Sequence, residues 1–139
     1  MLQLKYLTDA DLELFIPIDI QENEFEMIVD SFYNKRKGKM FIFENDGVPV
    51  LIIGMFEKWD RVYDTITIFS KYWKPSFYKT VIKKAKDYFA IIDCDRIEHM
   101  VNCERPWTCK MAELFGFKYV ATFRKYYNGI DYKLYEIVK

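Results

Sequence analysis

The stretch 111-MAELFGFKYVATFRKYYNGIDYKLYEIVK-139 combines a short helix, a glycine and two β-rich runs. Gly116 is typical of the residue that ends a helix in a left-handed conformation. The dipeptide Asn128-Gly129 supplies two residues that tolerate positive φ, which a tight hairpin turn requires. The segment therefore predicts a helix followed by a hairpin.

Upstream of this segment, residues 72–89 (YWKPSFYKTVIKKAKDYF) predict a loop that leads into a long helix. Pro75 suits the first helical turn because it has no N–H group to leave unpaired. RIEHMVN, residues 96–102, predicts a strand between this helix and the C-terminal segment. Apolar residues recur at helical spacing in the long helix and form the face that packs on a sheet: Phe77, Val81, Ile82, Ala85, Tyr88 and Phe89.

The centre of the chain predicts a meander of antiparallel strands. The runs KMFIFEN (39–45) and VPVLIIGMFEKW (48–59) flank Asp46-Gly47, a dipeptide typical of hairpin turns. RVYDTITIFSKYW (61–73) adds the third run.

The N-terminal part predicts one strand and two helices. LQLKYL (2–7) alternates like a strand, and Thr8 or Asp9 is placed to cap the helix that follows, which Pro17 closes. Residues 23–38 place apolar side chains on one helical face. This helix is expected to end with cations and a glycine, as helix C-termini prefer: Lys35, Arg36, Lys37 and Gly38.

The composition indicates a cytoplasmic protein of one domain. The chain has 139 residues, of which 51% are hydrophobic, enough for a substantial core. The 21 acidic residues balance the 21 basic residues, which argues against nucleic acid as a dedicated partner. Three cysteines without CxxC spacing and a single histidine predict neither a disulfide framework nor a metal site. No apolar stretch is long enough to span a membrane, so no membrane partner is expected.

The order of the elements resembles the GNAT family of acetyl-CoA-dependent acetyltransferases, and within it the short proteins encoded by tailed phages. The order β-α-α-β-β-β-α-β-α-β-β covers nearly the whole chain, while residue-level likeness is confined to ELFGF (113–117) and the hairpin after it. The resemblance implies a phage-encoded protein with a mixed α/β fold. Its central, mostly antiparallel seven-stranded sheet is flanked by about four helices in one acyltransferase domain, residues 1–139.

The resemblance also implies a site for acetyl-CoA. In the family, the pantetheine arm lies in a gap between strands four and five, and the pyrophosphate binds at the start of the next helix. Strand four here corresponds to residues 62–71, and N–H groups of residues 76–79 can donate to the phosphates. The implied cofactor-binding residues are Phe69, Ser70, Lys71, Lys74, Ser76, Phe77, Tyr78, Lys79, Asn102 and Arg105.

Two family motifs differ in this chain. Where the family loop has Arg or Gln and then Gly-x-Gly, this sequence has Trp73 and then residues 76–78, Ser-Phe-Tyr. Where the family has an Asn that starts the next helix and a Tyr that protonates the CoA thiolate, this sequence has Arg105 and Ala112. These differences leave open a GNAT-fold protein that has lost catalysis.

Acetylation of an amine requires a base for the ammonium proton and an acid for the departing thiolate. The implied bases are Asp64 on strand four and Glu57 at the end of strand three, and the candidate acids are Tyr72, Tyr78 and Tyr119. His99 is another candidate base. An outward-facing strand carboxylate and an ordinary strand histidine are the alternative interpretations of Asp64 and His99.

The leading functional hypothesis is a cytoplasmic N-acetyltransferase that uses acetyl-CoA, without a metal, on an amine of a small molecule or protein. The alternative is a catalytically inactive binding protein or a virion-associated structural protein. A third hypothesis is a single-stranded nucleic-acid binder, because KYWK (71–74) and FRKYY (123–127) combine rings with cations. A homodimer is compatible with each.

Overall fold

Within the described residues, 1–33 and 38–139 of a computed structural model, the chain forms seven strands and four α-helices in the predicted order. The predicted basic end of the second helix, at Lys35, Arg36 and Lys37, lies outside the described residues, and Gly38 begins a strand instead of ending that helix. The elements are β1 (Leu2–Tyr6), α1 (Asp9–Leu14), α2 (Glu22–Tyr33), β2 (Gly38–Asn45), β3 (Val48–Trp59), β4 (Val62–Phe69), α3 (Tyr78–Ile91), β5 (Arg96–Asn102), α4 (Pro106–Leu114), β6 (Lys118–Tyr127) and β7 (Ile130–Val138), with 3₁₀ helices at Asp19–Gln21 and Pro75–Phe77.

The seven described strands form one sheet in the order β1-β2-β3-β4-β5-β7-β6. The pairs β1–β2, β2–β3, β5–β7 and β6–β7 are antiparallel, whereas β4 and β5 are parallel. The predicted mixed α/β fold with a mostly antiparallel sheet is therefore confirmed.

Both predicted glycine turns are present. Asp46 and Gly47 have φ of 50° and 81°, and Asn128 and Gly129 have φ of 51° and 72°. Two successive residues with positive φ give a turn whose twist matches that of the strands it joins. These turns fix the register of β2 with β3 and of β6 with β7.

Contacts divide the chain into two compact units, of which the first comprises Met1–Phe56 and Ile66–Val81. Thr8 caps α1 as predicted, because its Oγ1 accepts from the Asp11 N–H (3.3 Å) and the Asp11 carboxylate accepts from the Thr8 N–H (2.9 Å). The core of this unit is formed by apolar side chains of α1, α2 and the strands β2, β3 and β4, together with two residues that flank α1. Its members are Leu7, Leu12, Phe15, Ile28, Ile42, Ile52, Phe56 and Ile68.

The second unit comprises Glu57–Thr65 and Ile82–Lys139, and its core is aromatic. The ring centroid of Phe89 lies 6.0 Å from that of Phe115 and 5.2 Å from that of Phe117. The His99 ring lies 5.6 Å from Phe117. Face and edge contacts of this kind add to the area that the rings bury. The prediction that residues 1–139 form one domain stays a prediction.

His99 is a buried, uncharged member of this core. Its Nδ1 lies 3.1 Å from the carbonyl oxygen of Thr65. Because a carbonyl oxygen can only accept, Nδ1 carries the hydrogen of this bond. Burial lowers the pKa of His99 to about 4, so the ring is neutral at pH 7. This environment favours the interpretation of His99 as an ordinary strand histidine.

The buried position of His99 makes the second unit sensitive to acid. The pKa in the folded state lies below the unfolded value of about 6.5, so the unfolded chain binds the proton first as the pH falls. We expect His99 to lower the free energy of unfolding by on the order of 2 to 3 kcal/mol between pH 7 and pH 4.5. The His99→Asn variant keeps a side-chain N–H for Thr65. Between pH 7 and pH 4.5, its free energy of unfolding, measured by urea titration, should therefore fall by about 2 to 3 kcal/mol less than that of the unmodified protein. Equal pH dependence of the two proteins would contradict the assignment.

Gly54 lies where a side chain does not fit the core of the first unit. A Cβ there would lie 2.7 Å from Cδ1 of Ile28 and 3.2 Å from Cγ2 of Ile66. We expect Gly54→Ala to lower the free energy of unfolding by about 1 to 3 kcal/mol. The Ile28→Val change removes the clashing Cδ1, so the double variant should be more stable than the sum of the two single effects predicts. Strict additivity in denaturant unfolding would rule out this contact.

Candidate active site

The predicted cofactor loop lies in the first unit, between β4 and α3. β4 ends at Phe69, before the predicted end at Lys71, because the chain turns at Ser70: the Trp73 N–H donates to the Ser70 carbonyl oxygen (3.0 Å). Pro75, expected in the first turn of the α-helix, opens a 3₁₀ helix instead, and α3 begins at Tyr78. The loop is therefore a short turn followed by a tight helical entry.

Most backbone N–H groups of this loop already have acceptors. The Phe77 N–H donates to the Lys74 carbonyl oxygen (3.0 Å), and the Tyr78 N–H donates to that of Pro75. In this conformation the 3₁₀ turn uses both amides internally, and the expectation that they donate to phosphates stays a prediction. Over residues 69–78, all of them described, the Lys74 and Ser76 amides are those for which the structure gives no acceptor.

Exposed cations surround this entry to α3. The side chains of Lys71, Lys74 and Lys79 are all exposed to solvent. Lys71 Nζ lies 5.0 Å from the centroid of the Tyr72 ring, within range of a cation–π interaction. Trp73, which the resemblance placed at the family's Arg or Gln position, packs against Phe69. The centroids of the two rings lie 5.1 Å apart. Charge in this loop therefore comes from lysines, while the tryptophan is part of the packing.

The edge of β4 opposite β3 is covered by residues 16–21, which we call the strap. The Ser70 N–H donates to the Val50 oxygen of β3 (3.0 Å), so the backbone groups of Thr67, Phe69 and Lys71 face the other edge. There the Lys71 N–H donates to the Ile16 oxygen (2.8 Å), and the Ile18 N–H donates to the Phe69 oxygen (2.9 Å). The strap thus pairs with the end of β4 almost as a strand would.

Gln21 completes the strap and is the residue that sequence reasoning missed. Its Nε2 donates to the Thr67 oxygen, and its Oε1 accepts from the Phe69 N–H, both at 2.8 Å. The side chain is buried, with 3% of its surface exposed. A glutamine at the end of a short 3₁₀ helix has no sequence pattern that marks such a role.

The two predicted bases lie on neighbouring strands of the second unit. Asp64 is half-buried on β4 and stands in register with Glu98 of β5. Lys58 Nζ lies 3.1 Å from Glu98, and this hydrogen bond, with a smaller contribution from Asp64, raises the pKa of Lys58. Glu57 is half-buried on β3. Asp64 therefore lies in a charged environment with Lys58 and Glu98, and its role as a base stays a prediction.

The predicted acid Tyr119 is also in the second unit. Its hydroxyl lies 2.8 Å from Thr122 Oγ1, and 54% of the residue is exposed. Its ring centroid lies 5.9 Å from that of Tyr135, which is buried. Because its hydroxyl is accessible, Tyr119 could donate a proton to a group bound beside it. The role of Tyr119 as the acid stays a prediction.

Asn102 and Arg105 shape the start of α4. The Asn102 Oδ1 accepts from the Glu104 N–H (2.8 Å), and the Arg105 N–H donates to the Asn102 carbonyl oxygen (3.0 Å). Arg105 is the N-cap of α4 and makes no side-chain capping bond. The Asn102 amide oxygen therefore serves the local turn.

Residues 1–33 and 38–139 contain neither a metal-binding cluster nor a membrane-spanning helix. No group of three or more His, Cys, Asp or Glu side chains there is arranged to hold a metal ion. Among the same residues, no helix has both the length and the apolar character needed to cross a bilayer.

Comparison with known proteins shows similarity at the level of structure. No protein-family model and no curated protein sequence matches the chain. The spermidine N-acetyltransferase of Vibrio cholerae in complex with CoA and spermine superposes with a TM-score of 0.76 and 20% identity, over 99% of this chain and 95% of that chain. A dodecameric structure of the spermidine N-acetyltransferase from Vibrio cholerae in an intermediate state gives a TM-score of 0.72 and 21% identity, over 99% and 93%.

These similarities establish the fold. Superposition extends along nearly the whole chain, and the element order is the one that the resemblance implied. The implied phage origin stays a prediction. The chain has the fold of the GNAT N-acetyltransferases.

Proposed function

We propose that this protein is an N-acetyltransferase that uses acetyl-CoA to acetylate an amine of a small molecule or protein. The observation that carries the proposal is the loop after β4, where Lys71, Lys74 and Lys79 are exposed around the start of α3. A helix start with cationic neighbours attracts phosphates. In a GNAT fold, this is the loop where the cofactor pyrophosphate is expected.

The residues of this loop fit the phosphate end of acetyl-CoA. The amides of Lys74 and Ser76 are available as donors, and the three lysines supply charge. Bound acetyl-CoA supplies an acyl group already activated as a thioester. The Thr67 oxygen and Phe69 N–H of β4 are held by Gln21, so the rest of the cofactor fits once that side chain moves.

The proposed roles in proton transfer follow from residue chemistry. Asp64 or Glu57 takes a proton from the acceptor ammonium onto a carboxylate oxygen, and Tyr119 gives its hydroxyl proton to the leaving thiolate. Phe69, Ser70, Phe77, Tyr78, Asn102 and Arg105 are proposed to contact the cofactor. A cytoplasmic location and a homodimer belong to the same proposal.

Polyamines are the first acceptors to test. The similar structures are described as spermidine N-acetyltransferases, and one of them contains spermine. Their identity to this chain is low, so the acceptor class is a hypothesis drawn from the fold. Small amines and lysine-containing peptides complete the panel.

A second function, binding without catalysis, is favoured by one observation. The 3₁₀ turn uses the Phe77 and Tyr78 amides, and no glycine stands at residues 76–78 to bring backbone close to a phosphate. Such a protein would keep the fold as a binding or virion-associated structural protein.

Calorimetric titration of acetyl-CoA tests the proposal. We expect micromolar binding that Lys74→Ala and Lys79→Ala each weaken about threefold to tenfold, because each removes a cation beside the phosphates. The control is Lys83→Ala, which removes an equal charge from an exposed position further along α3 and should leave the affinity unchanged.

The outcomes separate the two functions. Binding followed by CoA release in the presence of spermidine or another amine, measured by chromatography, supports the enzyme. No binding at millimolar acetyl-CoA would overturn it in favour of the binding protein. Equal weakening by Lys83→Ala would show that the loop has no special part in binding.

A further inference from the structure

The Gln21 carboxamide makes the pair of hydrogen bonds that a ligand amide would make on a strand edge. One Gln21 group donates to the Thr67 oxygen and the other accepts from the Phe69 N–H, two residues further along β4. An extended chain that contains amides pairs with a strand through this donor and acceptor combination. The edge thus forms an amide-binding position that the protein fills itself.

This position lies on the edge of β4 that faces away from β3, beyond the residues that pair with β5. β4 pairs with β5 from Val62 to Thr65, and Thr67 and Phe69 lie beyond this pairing. Thr67 and Phe69 are both buried, with 9% and 5% of their surfaces exposed. A buried carbonyl or N–H group without a partner would lower the stability of the fold. The two hydrogen bonds of Gln21 satisfy these groups of Thr67 and Phe69.

The Gln21 side chain makes a third hydrogen bond, to Glu24 of α2. Nε2 also donates to Glu24 Oε2 at 2.8 Å, so the carboxamide uses both of its hydrogens and its oxygen. The Gln21 N–H bonds back to the Ile18 oxygen (2.9 Å), inside the 3₁₀ helix. Rotation of the side chain therefore frees the Thr67 oxygen and the Phe69 N–H without breaking that backbone bond.

We propose that Gln21 closes the amide-binding position of β4 and that the pantetheine arm of the cofactor binds by displacing its carboxamide. This inference rests on the proposed function. Gln21 is then a residue that sets cofactor affinity, because each binding event must first move it. The apparent affinity is lowered by the fraction of molecules in which the position is closed.

Two ligands distinguish binding of the pantetheine arm from binding of the phosphates. Acetyl-CoA carries the pantetheine arm, whereas adenosine 3′,5′-bisphosphate carries phosphates without it. The Gln21→Met variant keeps the length of the side chain and removes its donor and acceptor. We expect Gln21→Met to bind acetyl-CoA about tenfold more tightly than the unmodified protein and to bind the bisphosphate with unchanged affinity.

The matched control is Gln3→Met, the same chemical change at an exposed position of β1 in the same unit. It should leave both affinities unchanged. Lys74→Ala, in contrast, should weaken both ligands. Thermal unfolding of each variant shows whether it is folded.

A measurement on the unmodified protein decides the matter if Gln21→Met does not fold. Saturation with acetyl-CoA should shift the side-chain amide resonances of Gln21 in nuclear magnetic resonance spectra, and the bisphosphate should not. Unmoved Gln21 resonances with acetyl-CoA bound, or equal acetyl-CoA affinities of the two proteins, would overturn the inference and leave the proposed function standing. No acetyl-CoA binding to either protein would overturn both.

Discussion

The structure depends on how the edge of β4 opposite β3 finds its hydrogen-bond partners. Buried N–H and carbonyl groups must be paired, since each unpaired group costs about 1 to 3 kcal/mol. β5 supplies partners as far as Thr65. Beyond that point, Ile18 and Gln21 supply them from the segment between α1 and α2. The need for these partners explains the position of the strap.

In the proposed function, the loop after β4 binds phosphates with side-chain charge where a glycine-rich loop would use backbone amides. A 3₁₀ turn tightens the chain and uses the N–H groups of Phe77 and Tyr78 internally. Lysine charges act over longer distances than hydrogen bonds, but salt screens them within about 10 Å at 0.1 M. Anion binding at this loop should therefore depend strongly on ionic strength and tolerate small shifts of the phosphates.

Local sequence signals predicted the fold well because they depend on neighbours in the chain. Asp46-Gly47 and Asn128-Gly129 fixed two hairpins, and Thr8 marked the start of α1. The end of β4 and the strap could not be predicted in this way, because Gln21 and its partners Thr67 and Phe69 are 46 and 48 residues apart. The lysines near α3 were visible in the sequence, whereas the internal use of the Phe77 amide depends on a turn type that the sequence did not indicate.

The choice between an enzyme and a binding protein depends on how deeply the β4 edge is closed. A closure made by a full strand would have to unfold before a ligand could pair with β4. A single side chain closes the Thr67 oxygen and the Phe69 N–H, whereas the Phe69 oxygen and the Lys71 N–H pair with the backbone of Ile18 and Ile16 in bonds that do not involve Gln21. An arriving amide can replace the two Gln21 bonds to β4 with two of the same kind, and the freed carboxamide gains bonds to water. Such an exchange has a small net cost, so a closed edge in the free protein is compatible with a cofactor site.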